Sequence, residues 1–385
     1  MPNSGYLAKV FIQIMPNLHV QNSSFQEPQQ QQGQSQFLGR SLLSLVLVFG
    51  TMGCQGTELS VSNGKPQVVA THSVLCDLVQ QLAAQQVALT CLIKPGTDPH
   101  TYAPTPQDRR AIESADLILT NGYGLEQQLL PLIQAAPNSI PKIAVAEVAV
   151  PQPLTGKAHD HNADHRAEEH GAEDHRAEDH GVEDHHSRGA TAHSDADSVT
   201  DPHVWHNAEH GVAMVNVLTQ ELSKLDPDQA ETYRRQQGAI ALELNQLHAW
   251  VKAQTATIPP KQRILFTTHD ALGYYAQAYG LRLEGTLQGL STEQSPAAAR
   301  IKTLVDEIRA SGVPTLFPEQ NNASPVLQSV ANSSGTQLSK LELASDGLGL
   351  PGSPTATYQT MLIQNTEVIV NGLGGKLQPF KSQGK

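Results

Sequence analysis

Beyond Pro66 the apolar positions fall into two alternating kinds of run. Gln67-Val-Val-Ala-Thr71 is a short, continuous apolar stretch that reads as a buried strand, and from about 74 to 84 the apolar side chains recur at helical spacing. Residues 87–93, Val-Ala-Leu-Thr-Cys-Leu-Ile, predict a second strand, followed by a Pro/Gly loop over 94–106. The series continues with a helix over 106–115, a strand over 116–120, a turn at Asn121-Gly122, a helix over 124–135 and a strand near 143–145. Strands alternating with helices imply parallel βαβ units.

Over 157–199 the apolar periodicity vanishes, and helical patterns resume over about 208–224 and 228–256. In the second of these, Tyr233, Ile240, Leu244, Leu247 and Val251 share one face. A helix of that length reaches roughly 40 Å at about 1.5 Å per residue, enough to run along two lobes as a strut. A second series follows: strand 263–267, helix 270–279, strand near 281–285, helix 296–311, strand 313–317, helix 323–334, strand 337–343 and a closing helix over about 354–372. The predicted fold class is α/β, with two lobes that each hold a mostly parallel sheet flanked by helices and are joined by one long linking helix. The corresponding boundaries are 66–227 for the first lobe, with 157–199 as an insertion, 228–257 for the linking helix, 258–375 for the second lobe and 376–385 for a tail. A chain of 385 residues is long for one core and comfortable for two.

The N-terminal region has a different character. Arg40 precedes the apolar run Ser41-Leu-Leu-Ser-Leu-Val-Leu-Val-Phe-Gly50, which leads through Thr51-Met52-Gly53 to Cys54. About a dozen apolar residues fall short of the roughly 20 that a membrane-spanning helix needs, but they suit the apolar core of an export signal. A signal peptide over 37–54 is expected, ending at a lipobox-like Cys54; Thr51 stands where leucine is usual, so simple cleavage nearby is the alternative to lipidation. Residues 55–65 read as a polar linker, and 1–36, with the run Gln29 to Gln32, as a disordered leader or extension. The expected location is extracytoplasmic: periplasmic and anchored by lipid. Cys76 and Cys91, the other two of three cysteines, show no CxxC spacing. An oxidising compartment permits a disulfide between them, and two buried thiols remain the alternative.

Charge narrows the function classes. Charged residues make up 16% of the chain and the formal net charge is -12, which leaves neither a basic nucleic-acid footprint nor a polybasic membrane patch. Histidine is the outlier at 17 copies, nine of them between His159 and His193. His165, His170, His175, His180 and His185 repeat every five residues, and 157–199 holds 12 acids against 4 Lys or Arg, so most of the net charge lies there. This segment has no means of building a core and is expected to be disordered without metal, gathering cations weakly through neutral imidazoles and carboxylates. A solvated acidic linker is the plainer reading of it.

Four loops stand where open α/β sheets place ligands, beyond the strand ends. They are Lys94-Pro-Gly-Thr-Asp-Pro-His100-Thr-Tyr-Ala-Pro-Thr-Pro106, Asp201-Pro-His203-Val-Trp-His206, Thr267-Thr-His269-Asp-Ala-Leu-Gly-Tyr274 and Ala344-Ser-Asp346-Gly-Leu-Gly349. Each offers one candidate metal ligand, and the prolines of the first leave its imidazole little conformational freedom. Asp98 and Asp201 precede prolines in two of these loops and are placed to accept hydrogen bonds from loop amides or to orient an imidazole. His206 and His210 are spaced for one helical face, but no HExxH pattern is present, and surface or supporting roles are expected; His72 and His248 read as structural.

The order and wording of these loops resemble the zinc (ZnuA-like) and manganese solute-binding proteins of ABC importers, over about residues 66–375. In that family the histidines of GxDPHxYxPTP and DPHxW, and a histidine or glutamate before an A-[FL]-GY segment, bind the metal. The resemblance therefore implies His100, His203 and His269 as ligands, with Asp346 as the fourth. Glu319, in Phe317-Pro-Glu-Gln320, is a competitor for that place, and water another. Three neutral imidazoles with one carboxylate or water suit Zn2+, whereas Mn2+ prefers more oxygen, and His269 stands where manganese carriers commonly have glutamate. The resemblance implies a monomeric zinc carrier that serves a membrane permease driven by a separate ATPase, since no Walker motif is present. A manganese or mixed carrier is the alternative within the family. From other classes, a zinc hydrolase lacks a general base at recognisable spacing, and a surface adhesin remains open.

Overall fold

The computed structural model describes residues 64–157, 198–321 and 325–382. The expected leader, the expected export signal ending at Cys54 and nearly all of the histidine-rich insertion lie outside the described residues.

Strands β1 (Gln67–Ala70), β2 (Ala88–Cys91), β3 (Leu117–Thr120) and β4 (Lys142–Ala144) form a parallel sheet in the order β2-β1-β3-β4. Because side chains alternate across a strand, Val68, Ala70, Leu117 and Leu119 enter one core while Val69 and Ile118 enter another. Helix α1 (Ser73–Ala83) fills the first core with Val74, Leu75, Leu78 and Val79. Helices α2 (Pro106–Glu113) and α3 (Leu130–Ala135) close the second with Ile112 and Ile133. Burial on both faces of the central strands β1 and β3 explains why they read as unbroken apolar runs. Helix α2 starts where the sequence says it must: Thr105 caps it, Pro106 takes the first turn, and Asp108 completes a capping box. Helix α3 starts later than the expected 124, because Gly122, Tyr123 and Gly124 all have positive φ and only a 3-10 turn at Gln127–Leu129 precedes it. Cys76 on α1 and Cys91 on β2 are joined by a disulfide, with Cα atoms 5.9 Å apart.

After α4 (Val145–Ala149) comes a feature that the hydrophobic pattern did not disclose. β5 (Thr155–Lys157) and β6 (Ser198–Thr200) pair antiparallel, bringing the two ends of the insertion together. Three-residue strands have too few positions to show a period. The Asp201 amide donates to the Leu154 carbonyl at 2.8 Å, so this ribbon leads directly into the Asp201-Pro-His203 loop.

Helix α5 (Ala208–Leu225), capped by Asn207, precedes α6 (Ala230–Thr255). The 26 residues of α6 span about 39 Å. It packs on α1 and α5 and also on α7 (Gly273–Tyr279) and α10 (Tyr358–Gly372), so it contacts both α/β series. The second series repeats the first. β7 (Ile264–Thr267) pairs parallel with β8 (Arg282–Thr286), and β9 (Thr315–Leu316) with β10 (Gln337–Leu338). The Phe317 amide joins the two pairs by donating to the Phe266 carbonyl at 3.2 Å, which gives the order β8-β7-β9-β10. Helices α8 (Ala298–Ser311) and α9 (Pro325–Ser334) supply the outer core of Leu304, Ile308, Leu327 and Val330. β9 is shorter than the expected 313–317 because Pro314 and Pro318 flank it and cannot donate to a ladder. β10 is shorter than 337–343, and pairing resumes only as an isolated bridge between Glu319 and Leu343.

Candidate metal centre

All four candidate ligands converge. One atom from each of His100, His203, His269 and Asp346 lies within 4.8 Å of the others, and all four residues are buried. Asp346 Oδ1 is 3.3 Å from His100 Nε2, 3.4 Å from His203 Nε2 and 3.0 Å from His269 Nε2, while the Nε2 atoms of His100 and His203 stand 3.3 Å apart. The ring centroids of the three imidazoles are 5.3–5.8 Å from one another, so the rings wall a small cage with the carboxylate as its remaining side.

Each side chain arrives on a short, well-tied loop. His100 follows β2 on the proline-rich loop, which turns at Gly96 with φ +79°. The Gly96 amide donates to the Leu348 carbonyl at 2.8 Å, tying this loop to the Asp346 loop. Asp98 does what its place before proline predicts: Oδ1 accepts from the His100 amide at 2.9 Å, and Oδ2 accepts from the Thr292 hydroxyl at 2.6 Å. Asp201 does both of the things foreseen for it, accepting from the His203 amide at 2.9 Å and from His203 Nδ1 at 2.8 Å. His269 lies two residues past β7, where the Thr267 hydroxyl donates to its carbonyl at 2.8 Å.

Glu319 stands behind His269, outside the four-atom cluster. It accepts from His269 Nδ1 and, at 2.9 and 3.1 Å, from the Thr268 and His269 amides. With Nδ1 of His203 and His269 donating to carboxylates, Nε2 is the nitrogen that each ring turns into the cage.

Two histidines outside the cluster prove closely connected to it. His206, for which a surface or supporting role was expected, is fully buried and donates from Nε2 to the Ser345 carbonyl at 2.8 Å. His72, also fully buried, donates to the Asp346 carbonyl at 2.9 Å. Trp205 packs between them, with ring centroids 4.5 Å from His72 and 5.6 Å from His206. His72 lies two residues past β1, at the same carboxyl end of the sheet as the ligand loops, which is the signal that marks it out. His210 and His248 pack against Tyr274 and Tyr279, away from the cluster.

The electrostatics favour a divalent cation. Burial raises the Asp346 pKa, but the charge of His269 and hydrogen bonds from the three imidazoles overcome this and hold it well below the usual carboxylate range. For His269 burial acts to lower the pKa, and the charges of Asp346 and Glu319 reverse that and hold it well above 6.5. His203 is raised too, its burial outweighed by hydrogen bonds to Asp201 and Asp346. His72 and His206 go the other way, pushed by burial to about 4 and about 3, which keeps them neutral. Asp346 Oδ2 is buried without a hydrogen-bond partner among the described residues, as a donor atom reserved for a cation would be.

Comparison with known proteins points to one family, whose named relatives divide between zinc and manganese. A family model, "Zinc-uptake complex component A periplasmic", matches residues 68–372. The zinc-binding protein TroA of Treponema pallidum is 28% identical over 337 residues, covering 86% of this chain and 96% of that one. The manganese ABC transporter substrate-binding lipoprotein PsaA of Streptococcus pneumoniae is 26% identical over 332 residues, covering 86% of this chain and 96% of that one. The solved structure of the periplasmic zinc-binding protein TroA from Treponema pallidum matches with a TM-score of 0.67 at 28% identity, over 80% of this chain and 99% of that chain.

Proposed function

On the premise that the chain belongs to the family of periplasmic component A of zinc-uptake complexes, we propose that it captures Zn2+ and delivers it to a membrane permease. Membership makes it a metal-binding substrate-binding component of an ABC transporter, not an enzyme. The metal is its cargo.

One observation carries the choice of ligands: the spacing of the four donor atoms. Donors about 2.0 Å from a common tetrahedral ion stand about 3.3 Å from one another. Four of the six separations among these atoms run from 3.0 to 3.4 Å, and all six lie within 4.8 Å, a cluster that a bound ion would have to tighten only slightly. We assign His100, His203, His269 and Asp346 as the ligands, with Glu319 as the acceptor that orients His269. Three imidazoles against one carboxylate favour zinc over manganese. A manganese carrier is the second reading, favoured by the free Asp346 Oδ2, which as a further donor would bring a fifth, oxygen contact.

Affinity alone does not separate these readings, because zinc binds more tightly than manganese at most nitrogen–oxygen sites. Growth and metal uptake of cells lacking the chain, under zinc limitation and under manganese limitation, do: the defect should appear under zinc limitation and be relieved by added zinc, while His269→Glu should narrow the ratio of zinc to manganese affinity. A defect confined to manganese limitation would overturn the zinc assignment.

The remaining features fit a carrier held outside the cytoplasm. We propose lobes at 66–227 and 258–375 joined by the helix of 228–257, a lipid anchor at Cys54, a monomeric chain, and a separate ATPase driving the permease. Among the described residues no helix is long and apolar enough to cross a membrane. The histidine-rich insertion would act as an accessory collector, and the β5–β6 ribbon roots it three residues before His203.

A further inference from the structure

The loop that carries Asp346 is held from both halves of the chain. Its own half ties it through Ala344, whose amide donates to Asn365 Oδ1 at 2.9 Å and whose carbonyl accepts from Asn365 Nδ2 at 2.8 Å. The other half takes hold of the next two carbonyls in turn, that of Ser345 by His206 Nε2 at 2.8 Å and that of Asp346 by His72 Nε2 at 2.9 Å. Ser73 adds a third tie, accepting from the Leu348 amide at 2.9 Å. A carbonyl only accepts, so both imidazoles carry their proton on Nε2.

The loop backbone presses closely against this corner. Gly347 has φ +148°, and a Cβ there would lie 2.5 Å from Ser73 Oγ and 3.2 Å from His72 Nε2. Both imidazoles are buried at a cost, since each Nδ1 has no partner among the described residues. Apolar side chains would avoid that cost but leave the carbonyls of residues 345 and 346 without donors.

We propose that His72 and His206 are positioning residues that clamp the backbone on either side of the Asp346 Cα and so aim its carboxylate at the three imidazoles of His100, His203 and His269. The clamp bonds neither to the cargo nor to the carboxylate itself. It fixes the direction in which the Asp346 side chain leaves the backbone, and it does so from the half of the chain that supplies His100 and His203. This inference rests on the reading of Asp346 as a ligand.

The test measures zinc affinity of the full chain at one zinc per chain by chelator competition. Leu, Asn and Gln are placed singly at His72 and at His206, each with and without Asp346→Ala. Loss of a partner that orients a ligand costs about 10- to 100-fold in metal affinity. His206→Leu and His206→Asn should weaken binding by about 10-fold or more, as should the same changes at His72. Gln, whose amide nitrogen reaches about as far as Nε2, should restore most of the affinity, and in the Asp346→Ala background the Leu changes should cost nothing further. Unchanged affinity in the Leu variants, equal behaviour of Asn and Gln, or a Leu penalty that adds in full to Asp346→Ala would overturn the proposal. The Asn and Gln comparison stands even where a Leu variant does not fold. Asp346→Ala alone checks the underlying reading: unaltered zinc affinity there would remove Asp346 from the ligand set without involving either imidazole.

Discussion

Zinc binding near neutral pH should expel protons from the site, and their source follows from the geometry. His269 donates from Nδ1 to Glu319 and meets Asp346 Oδ1 through Nε2 at 3.0 Å. Burial opposes its protonation, but the two carboxylates hold its pKa well above 6.5, and Asp346 stays ionised. The raised pKa favours a proton on both ring nitrogens, and an ion that takes Nε2 must displace the one there. His203, raised in the same direction, adds to the release. Net proton release on zinc binding is predicted, so apparent affinity should climb with pH by about 1.4 kcal/mol per released proton for each pH unit. That gain ends once pH passes the raised value of His269.

Titration calorimetry in buffers of equal pH and different ionisation enthalpy counts these protons directly. Glu319→Gln removes one of the two charges that hold the His269 proton, and it should lower the count and flatten the pH dependence. No release from the unchanged chain at pH 7 would refute the reasoning. Stability of the ion-free chain carries the opposite sign. A pKa raised above the unfolded value of about 6.5 contributes stability that is fully present below that pH and lost as pH rises through the folded value.

Other outcomes follow from single features. Gly347→Ala forces a left-handed φ on a residue with a Cβ and drives that Cβ against Ser73, so thermal and denaturant unfolding should show a loss of about 1–3 kcal/mol. Gly238→Ala, inside α6 with open space around it, should instead stabilise by about 0.5–1 kcal/mol in the same assay. Replacing Cys76 and Cys91 by serine opens a link across 15 residues and should cost about 3 kcal/mol of unfolding free energy while leaving zinc stoichiometry unchanged. Deleting 158–198 should retain one tight zinc per chain in metal analysis but lower the total bound; loss of the tight site would show that the insertion is part of it.

Much of the fold was legible because its central strands β1, β3 and β7 are buried on both faces and its helices carry apolar stripes. The run at 67–71 and the stripe from Tyr233 to Val251 became β1 and α6 with ends shifted by only one or two residues. What escaped the pattern was short or set by backbone geometry: the β5–β6 ribbon, and the late start of α3 behind three residues of positive φ. At the site, the four loops announced themselves by histidine or aspartate beyond strand ends. The supporting groups did not, because their partners are remote in sequence. His206 reaches a carbonyl 139 residues away and His72 one 274 residues away, and no local pattern encodes either contact. Glu319 was legible as an acid near the site, but its place behind His269 depends on how β9 and β7 lie side by side.

The most direct measurement is anomalous scattering at the zinc edge from crystals of the zinc-loaded chain. A single strong peak about 2.0–2.1 Å from Nε2 of His100, His203 and His269, and at a similar distance from an Asp346 oxygen, is the predicted result. A peak bound by Glu319 in place of Asp346, or no peak among these residues, would contradict it.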